Sequence, residues 1–319
     1  MELRSPPQLV RHASLRQLQI FDAVARLGSF TRAAETLFLT QPTVSMQIKK
    51  LESSVGVALF EQVGRKVYLT EAGRVLHAGA RDVLDALGRV EMELADLKGM
   101  KTGHLRLAVV TTAKYFAPRA LGAFCNRYPG IDVSLKVTNR ERLLERMAAN
   151  VDDLYIIGRP PRDERTLFRP FMPNPIVMLA PSNHPLAGDS EVSLTRIAEE
   201  PLIMREEGSG TRMAVEALFA ERDLRPRVRM ELGSNEAIKQ AVIGGLGISA
   251  LSRHTFAADE PAGQLVILNV EGFPIAWHWH IGYARSKRPS VVVHTFLEFL
   301  EQEAPRLVPW ETVQCESRL

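Results

Sequence analysis

The sequence predicts an α+β chain of several domains: an N-terminal winged helix-turn-helix, a long dimerising helix and a two-lobed α/β domain. Three patterns predict it. Short helical segments and a basic-tipped hairpin fill the first seventy residues, an apolar repeat of period 3.5 follows, and strand and helix patterns alternate from residue 103 onward. The expected spans are 14–72 for the winged helix-turn-helix, 73–98 for the helix and 103–305 for the α/β domain. Within the last, the first lobe takes about 103–172 and 273–305 and the second about 173–272; residues 306–319 form a tail.

A chain of 319 residues with 45% hydrophobic and 24% charged residues is long enough for two or three real cores. No run reaches the roughly 18 to 20 apolar residues of a membrane span, and no apolar export signal is read at the N-terminus. The only cysteines, Cys125 and Cys315, form no CxxC pair and read as unpaired thiols in a reducing cytoplasm. The net charge of +3 is unevenly spread: residues 1–81 hold 11 Lys+Arg against 6 Asp+Glu, while the remainder carries −2. A polyanion contact confined to the N-terminal end follows.

Leu18, Phe21, Val24 and Ala25 have helical spacing up to Gly28, a C-terminal signal, and Ser29 then stands where an N-cap belongs. Ala33 and Ala34 in the next helix permit close approach of a neighbour. In the third helix, residues 40–52, Thr40 caps, Pro42 fits the first turn, and Val44, Ile48 and Leu51 form the buried face. Its remaining face carries short polar groups followed by lysines, which is what reading a DNA groove requires. A merely solvated face would show the same types; the helix before it and the hairpin after it decide for DNA. Gln41, Pro42, Thr43, Ser45 and Met46 are assigned to bases, and Thr31 to the DNA interface. Lys49, Lys50, Arg65 and Lys66 are assigned to phosphates and the minor groove, the last two from a wing tip at Gly64-Arg65-Lys66.

Leu76, Ala80, Val83, Leu87, Val90, Leu94 and Leu97 then repeat at intervals of four and three. A sustained period of 3.5 marks a coiled-coil seam, so a homodimer reading a palindromic DNA site is expected. These combined features resemble the LysR-type transcriptional regulators over residues 15–97. The resemblance implies a sequence-specific regulator without catalysis, assembling from dimers to a tetramer and working with RNA polymerase.

Past a hinge at Gly99–Gly103, strands at 105–109, 131–137 and 154–157 alternate with helices, as in a mainly parallel sheet with right-handed crossovers. A second set runs from Ile176 to about 249, and residues 275–300 return the chain to the first lobe. The two lobes resemble the periplasmic-binding-protein-like effector domain of the same family. Small polar residues stand at strand-to-helix junctions: Thr111 and Thr112, Asn139, Gly208-Ser209-Gly210-Thr211, and Ser234-Asn235. Each junction alone reads as a helix cap. Together with Lys114, Arg140, Arg159, Arg212 and Lys239 they read as a cleft for an anion. No other cofactor is implied.

The segments TTAKYFAP, TNRERLLERM, GRPP, EGSGTR and GSNEAIKQAVIGGLGIS are similar to the CbbR branch, activators of RuBisCO and Calvin-cycle operons. That resemblance implies a phosphorylated metabolite or NADPH as effector. Tyr155 departs from it, standing where a small residue is expected, and so bears on ligand choice. His278 and His280 fall on one strand face without further metal ligands nearby and read as structural. The glycines at 244, 245 and 247 follow a helix, the reverse of a dinucleotide fingerprint. A regulator of sulfur, nitrogen or aromatic metabolism is the first alternative; an enzyme or solute-binding module is the second, and it lacks both a catalytic set and an export signal.

Overall fold

A computed structural model of the chain describes residues 13–63, 66–98, 101–161, 164–256, 262–285, 287–303 and 306. It separates into two compact units, Met1–Lys98 and Gly99–Leu319. The expected tail beyond 306, with Cys315, lies outside the described residues, as do Gly99 and Met100 of the expected hinge.

The first unit is built by local signals. Helix α1 (Leu15–Leu27) begins with a reciprocal cap: the Gln17 N–H donates to Ser14 Oγ at 3.2 Å and the Ser14 N–H to Gln17 Oε1 at 2.8 Å. It ends at Gly28, whose φ of 59° is left-handed and whose N–H donates to the Val24 carbonyl. Ser29 caps α2 (Phe30–Thr36), and Thr40 caps α3 (Gln41–Val55) with Pro42 in its first turn. Val44, Ile48 and Leu51 of α3 are buried with Ile20, Phe21, Ala33 and Ala34 in one core. Strands β1 (Phe60–Val63) and β2 (Lys66–Leu69) pair antiparallel as the wing.

Thr70 caps α4 (Glu71–Leu97), which at 27 residues is about 40 Å long. The wing runs so close to its first turn that a Cβ on Gly73 would lie 2.1 Å from the Leu59 carbonyl oxygen. His77 of α4 meets Asp22 of α1 at 3.0 Å and so ties the long helix to the bundle. The expected seam divides here. Leu76 and Ala80 join the helix-turn-helix core, whereas Val83, Leu87, Val90, Leu94 and Leu97 leave an apolar stripe 41–84% exposed.

The second unit has two lobes. In the first, β3 (Gly103–Val110) leads through a short 3-10 turn to α5 (Ala117–Arg127). β4 (Ile131–Thr138), α6 (Arg140–Ala148) and β5 (Leu154–Ile157) follow, and β6 (Thr166–Pro173) completes the outward path. In the second lobe come β7 (Ile176–Pro181), α7 (Leu194–Glu199), β8 (Leu202–Arg205) and α8 (Gly210–Glu221). β9 (Val228–Leu232), α9 (Asn235–Ile243), β10 (Ser249–Ser252) and β11 (Leu265–Leu268) then complete it. The chain returns through β12 (His278–Ala284) and ends in α10 (Val291–Glu303).

The first lobe's sheet has the order β4-β3-β5-β12-β6. Its β4, β3 and β5 are parallel, and β12 is antiparallel to both β5 and β6. In the second lobe β7 lies antiparallel between β10 and β11, β8 and β9 pair in parallel, and Leu202 of β8 makes a further parallel bridge to Ile248. The three strands expected to run parallel in the first lobe do so, and the returning β12 makes the sheet mixed. Strand β6 carries Pro170 and Pro173, which the sequence reading passes over; an edge strand tolerates proline because one side needs no donors.

Candidate nucleic-acid interface and effector cleft

In the first unit the capping chemistry that starts α3 also presents its outer face. Thr40 Oγ1 lies 2.8 Å from Thr43 Oγ1, and Gln41 Nε2 donates to Ser45 Oγ at 2.9 Å, so the polar groups are held on the helix surface. Pro42, Ser45, Met46, Lys49 and Lys50 line one shallow open groove together with Ser53. Gln41 and Thr31 are exposed and Thr43 half-buried. Arg65 lies outside the described residues; Lys66 opens β2, and its side chain is outside them too. Sequence reasoning missed Phe38, which sits between α2 and α3 with φ of 54° and 97% exposure. Its one signal is an aromatic between Leu37 and Leu39, both of which turn toward the core.

In the second unit a narrow cleft lies between the two lobes, with a cavity volume of about 30 Å³. Of the expected residues, Thr111, Thr112, Arg140, Arg159, Ser209, Gly210 and Thr211 line it. Arg140 opens α6 behind its Asn139 cap, and Arg159 follows the end of β5. Neither arginine is paired with a carboxylate among the described residues, and Arg140 Nε is buried without a hydrogen-bond partner. Burial, then the neighbouring charge of Arg159, holds the Arg140 guanidinium below its usual pKa. The N-cap Ser209 and the first-turn residues Gly210 and Thr211 of α8 line the same cleft, and Ser209 makes no side-chain cap bond there. Two under-compensated cations and a helix N-terminus on one cleft are the components of an anion site.

The remaining expected residues lie off the cleft wall. Asn139 and Ser234 cap α6 and α9. Arg212 is drawn away by Glu216 at 2.7 Å and by Glu231. Lys114 and Lys239 meet at Glu236, 3.8 and 2.8 Å from its carboxylate oxygens, where Tyr115 also donates. Gly208 precedes the Ser209 turn with φ of 76°. Asn235 stands one shell behind the cleft, accepting from Arg205 Nη1 at 2.6 Å.

Sequence reasoning missed Arg205, Glu206, Gly158, Asn174, Trp277 and Trp279, all on the cleft wall. Arg205 is buried, forms a bidentate pair with Glu206 at 2.7 and 2.8 Å, and reaches Thr111 of the other lobe at 3.2 Å. An arginine ending an otherwise apolar strand, Leu202–Arg205, was the signal available. Tyr155, expected to bear on ligand choice, is fully buried away from the cleft. Its hydroxyl donates to the Arg146 carbonyl and accepts from the Asp152 N–H. The two histidines of the Trp-His-Trp-His stretch take no metal-like arrangement, and no group of three metal-ligating side chains occurs among the described residues.

Family models match both units: "Bacterial regulatory helix-turn-helix protein, lysR family" over residues 15–74 and "LysR substrate binding domain" over residues 98–305. The chain is 53% identical over 291 residues to the HTH-type transcriptional activator CmpR of Synechocystis, covering 91% of this chain and 96% of that one. It is 48% identical to the RuBisCO operon transcriptional regulator of Allochromatium vinosum, covering 93% and 98%. The Synechocystis CcmR regulatory domain, solved in complex with 2-PG, is 51% identical with a TM-score of 0.62, over 64% of this chain and 98% of that one. Full-length OxyR of Pseudomonas aeruginosa shares the fold across 92% of this chain and 95% of that one, with a TM-score of 0.75 at 23% identity. With both units matched and these identities over nearly the whole length, the chain belongs to the LysR family of bacterial transcriptional regulators, DNA-binding proteins rather than enzymes.

Proposed function

We propose that this regulator activates genes of CO2 fixation and is controlled by a small phosphorylated acid held in the interlobe cleft. The observation that carries the effector class is the pair Arg140 and Arg159, unneutralised among the described residues and lining the same cleft as the N-terminus of α8. An incoming oxyanion relieves their mutual repulsion and accepts backbone N–H groups in one step. The regulators of RuBisCO operons among its relatives, and the 2-PG, that is 2-phosphoglycolate, bound by the CcmR domain, support this choice over sulfur, nitrogen or aromatic metabolism.

DNA is read by α3, with Gln41, Pro42, Thr43, Ser45 and Met46 toward bases, Thr31 beside them, and Lys49, Lys50, Arg65 and Lys66 toward the backbone and minor groove. Two α3 helices brought together by the α4 stripes read an interrupted palindrome. Two such dimers form the tetramer that meets RNA polymerase in the cytoplasm. Calorimetry of the full chain with 2-phosphoglycolate, NADPH and inorganic sulfate tests the effector class. Binding of the phosphate ester with a gel shift on the gene's own upstream region supports the reading. Selective binding of NADPH moves the effector to nucleotides, and selective binding of sulfate moves the regulator to another pathway.

A further inference from the structure

The stretch around Trp277 and Trp279 builds part of the cleft that charge alone does not explain. Trp279 is fully buried, its ring lying 5.3 Å from Phe116 and 6.0 Å from His254, yet its indole Nε1 has no hydrogen-bond partner. An indole N–H can only donate, and leaving it dry in the protein interior is unfavourable. Asn174 is 5% exposed and accepts from Ser252 Oγ at 2.6 Å through its Oδ1, which leaves Nδ2 to donate.

Both Asn174 Nδ2 and Trp277 Nε1 converge on Gly158. A Cβ placed on that glycine would lie 3.4 Å from the first and 3.1 Å from the second. Any side chain at this position would press against both nitrogens, so glycine is what keeps the two N–H groups uncovered. All four residues line the cleft, and the Arg159 guanidinium lies 6.0 Å from the Trp277 ring centroid.

We propose that Gly158, Asn174, Trp277 and Trp279 form a second, donor-only subsite that takes the carboxylate end of the effector. The phosphate end goes to Arg140 and the α8 N-terminus. The inference rests on the anionic-effector reading and deepens it. A phosphate dianion calls for cations, whereas a planar monoanion is satisfied by a few neutral N–H donors held rigidly in place. Such a floor accepts only acceptors: a ligand end carrying its own N–H or ammonium group would set donor against donor. The subsite thus selects phosphorylated carboxylic acids from phosphorylated amines of the same size.

Calorimetry of the full chain with 2-phosphoglycolate, O-phosphoethanolamine and inorganic phosphate tests this, alongside Trp279→Phe and Trp277→Phe. Each variant removes an N–H while keeping an aromatic ring, and a melting curve confirms that it folds. The expected result has three parts. Wild type prefers 2-phosphoglycolate to O-phosphoethanolamine at least 10-fold. Both variants lose about 10-fold or more in 2-phosphoglycolate affinity. Inorganic phosphate binding stays within about 2-fold. Tryptophan emission should also shift on 2-phosphoglycolate binding in wild type, and less in the variants. If both variants bind 2-phosphoglycolate like wild type, the tryptophans are structural and the subsite is overturned while the effector reading stands. Equal losses for 2-phosphoglycolate and inorganic phosphate place phosphate on this floor and overturn the assignment of ends. A wild type that binds no phosphate compound overturns the effector reading and the subsite with it.

Discussion

Replacing Arg140 with Leu separates a binding role from a structural one. The guanidinium is half-buried, its Nε is unpaired, and burial together with Arg159 already holds its pKa low. Removing it relieves a desolvated, repelled cation, so the empty protein should melt at the same temperature or slightly higher. The bound state loses instead. Opposite unit charges at about 4 Å gain about 4 kcal/mol at an effective dielectric near 20. Desolvation of both partners leaves about 1.5–3 kcal/mol for a charge-assisted contact, or roughly 10-fold to 150-fold in affinity. Calorimetry with 2-phosphoglycolate reads the affinity and differential scanning the stability. Wild-type affinity, or a melting point lowered by several degrees, would refute the argument.

Thr211→Asp puts a negative charge at the α8 N-terminus beside the proposed phosphate, and should weaken 2-phosphoglycolate by about 10-fold to 100-fold in the same titration. DNA affinity without effector should be unchanged by gel shift. Leu87→Asp places a charge in the exposed α4 stripe, where burying it in both subunits costs several kcal/mol. Sedimentation should then show smaller species, and wild-type assembly would mean that the stripe has another use. His254 accounts for a pH dependence. Burial pushes its pKa down to about 4 from 6.5, so the folded form stays neutral while the unfolded chain takes up a proton. Its contribution is intact above pH 6.5 and is lost as pH falls toward 4, about 3 kcal/mol in all. His254→Gln should flatten that part of the melting-temperature profile; an unchanged profile would assign the acid sensitivity to other groups.

What the sequence made legible follows the range of the interactions. Ser14, Ser29, Thr40 and Thr70 each cap a helix through a contact three residues away, so the helix-turn-helix and the long helix can be read directly. The seam was legible in period only: Leu76 and Ala80 keep the repeat but are consumed by a core whose other members lie up to sixty residues earlier. In the cleft, residues at strand-to-helix junctions could be found, because a junction is a local event. Which cations stay available could not. Arg212 is neutralised by Glu231 and Lys114 by Glu236, partners that only the fold brings close. Asn174 and Trp277 lie on the segments that cross between the lobes, where alternating aromatic and polar residues look like an ordinary buried strand.

Footprinting of the gene's own upstream region, with and without saturating 2-phosphoglycolate, bears most directly on the claim that the cleft controls DNA binding. The wild-type footprint should change in length or in its pattern of hypersensitive sites when the ligand is added, and Arg140→Leu should keep the ligand-free pattern at the same concentration. An identical wild-type footprint with calorimetrically saturated cleft would contradict the account, because the ligand would then bind without altering how the protein holds DNA.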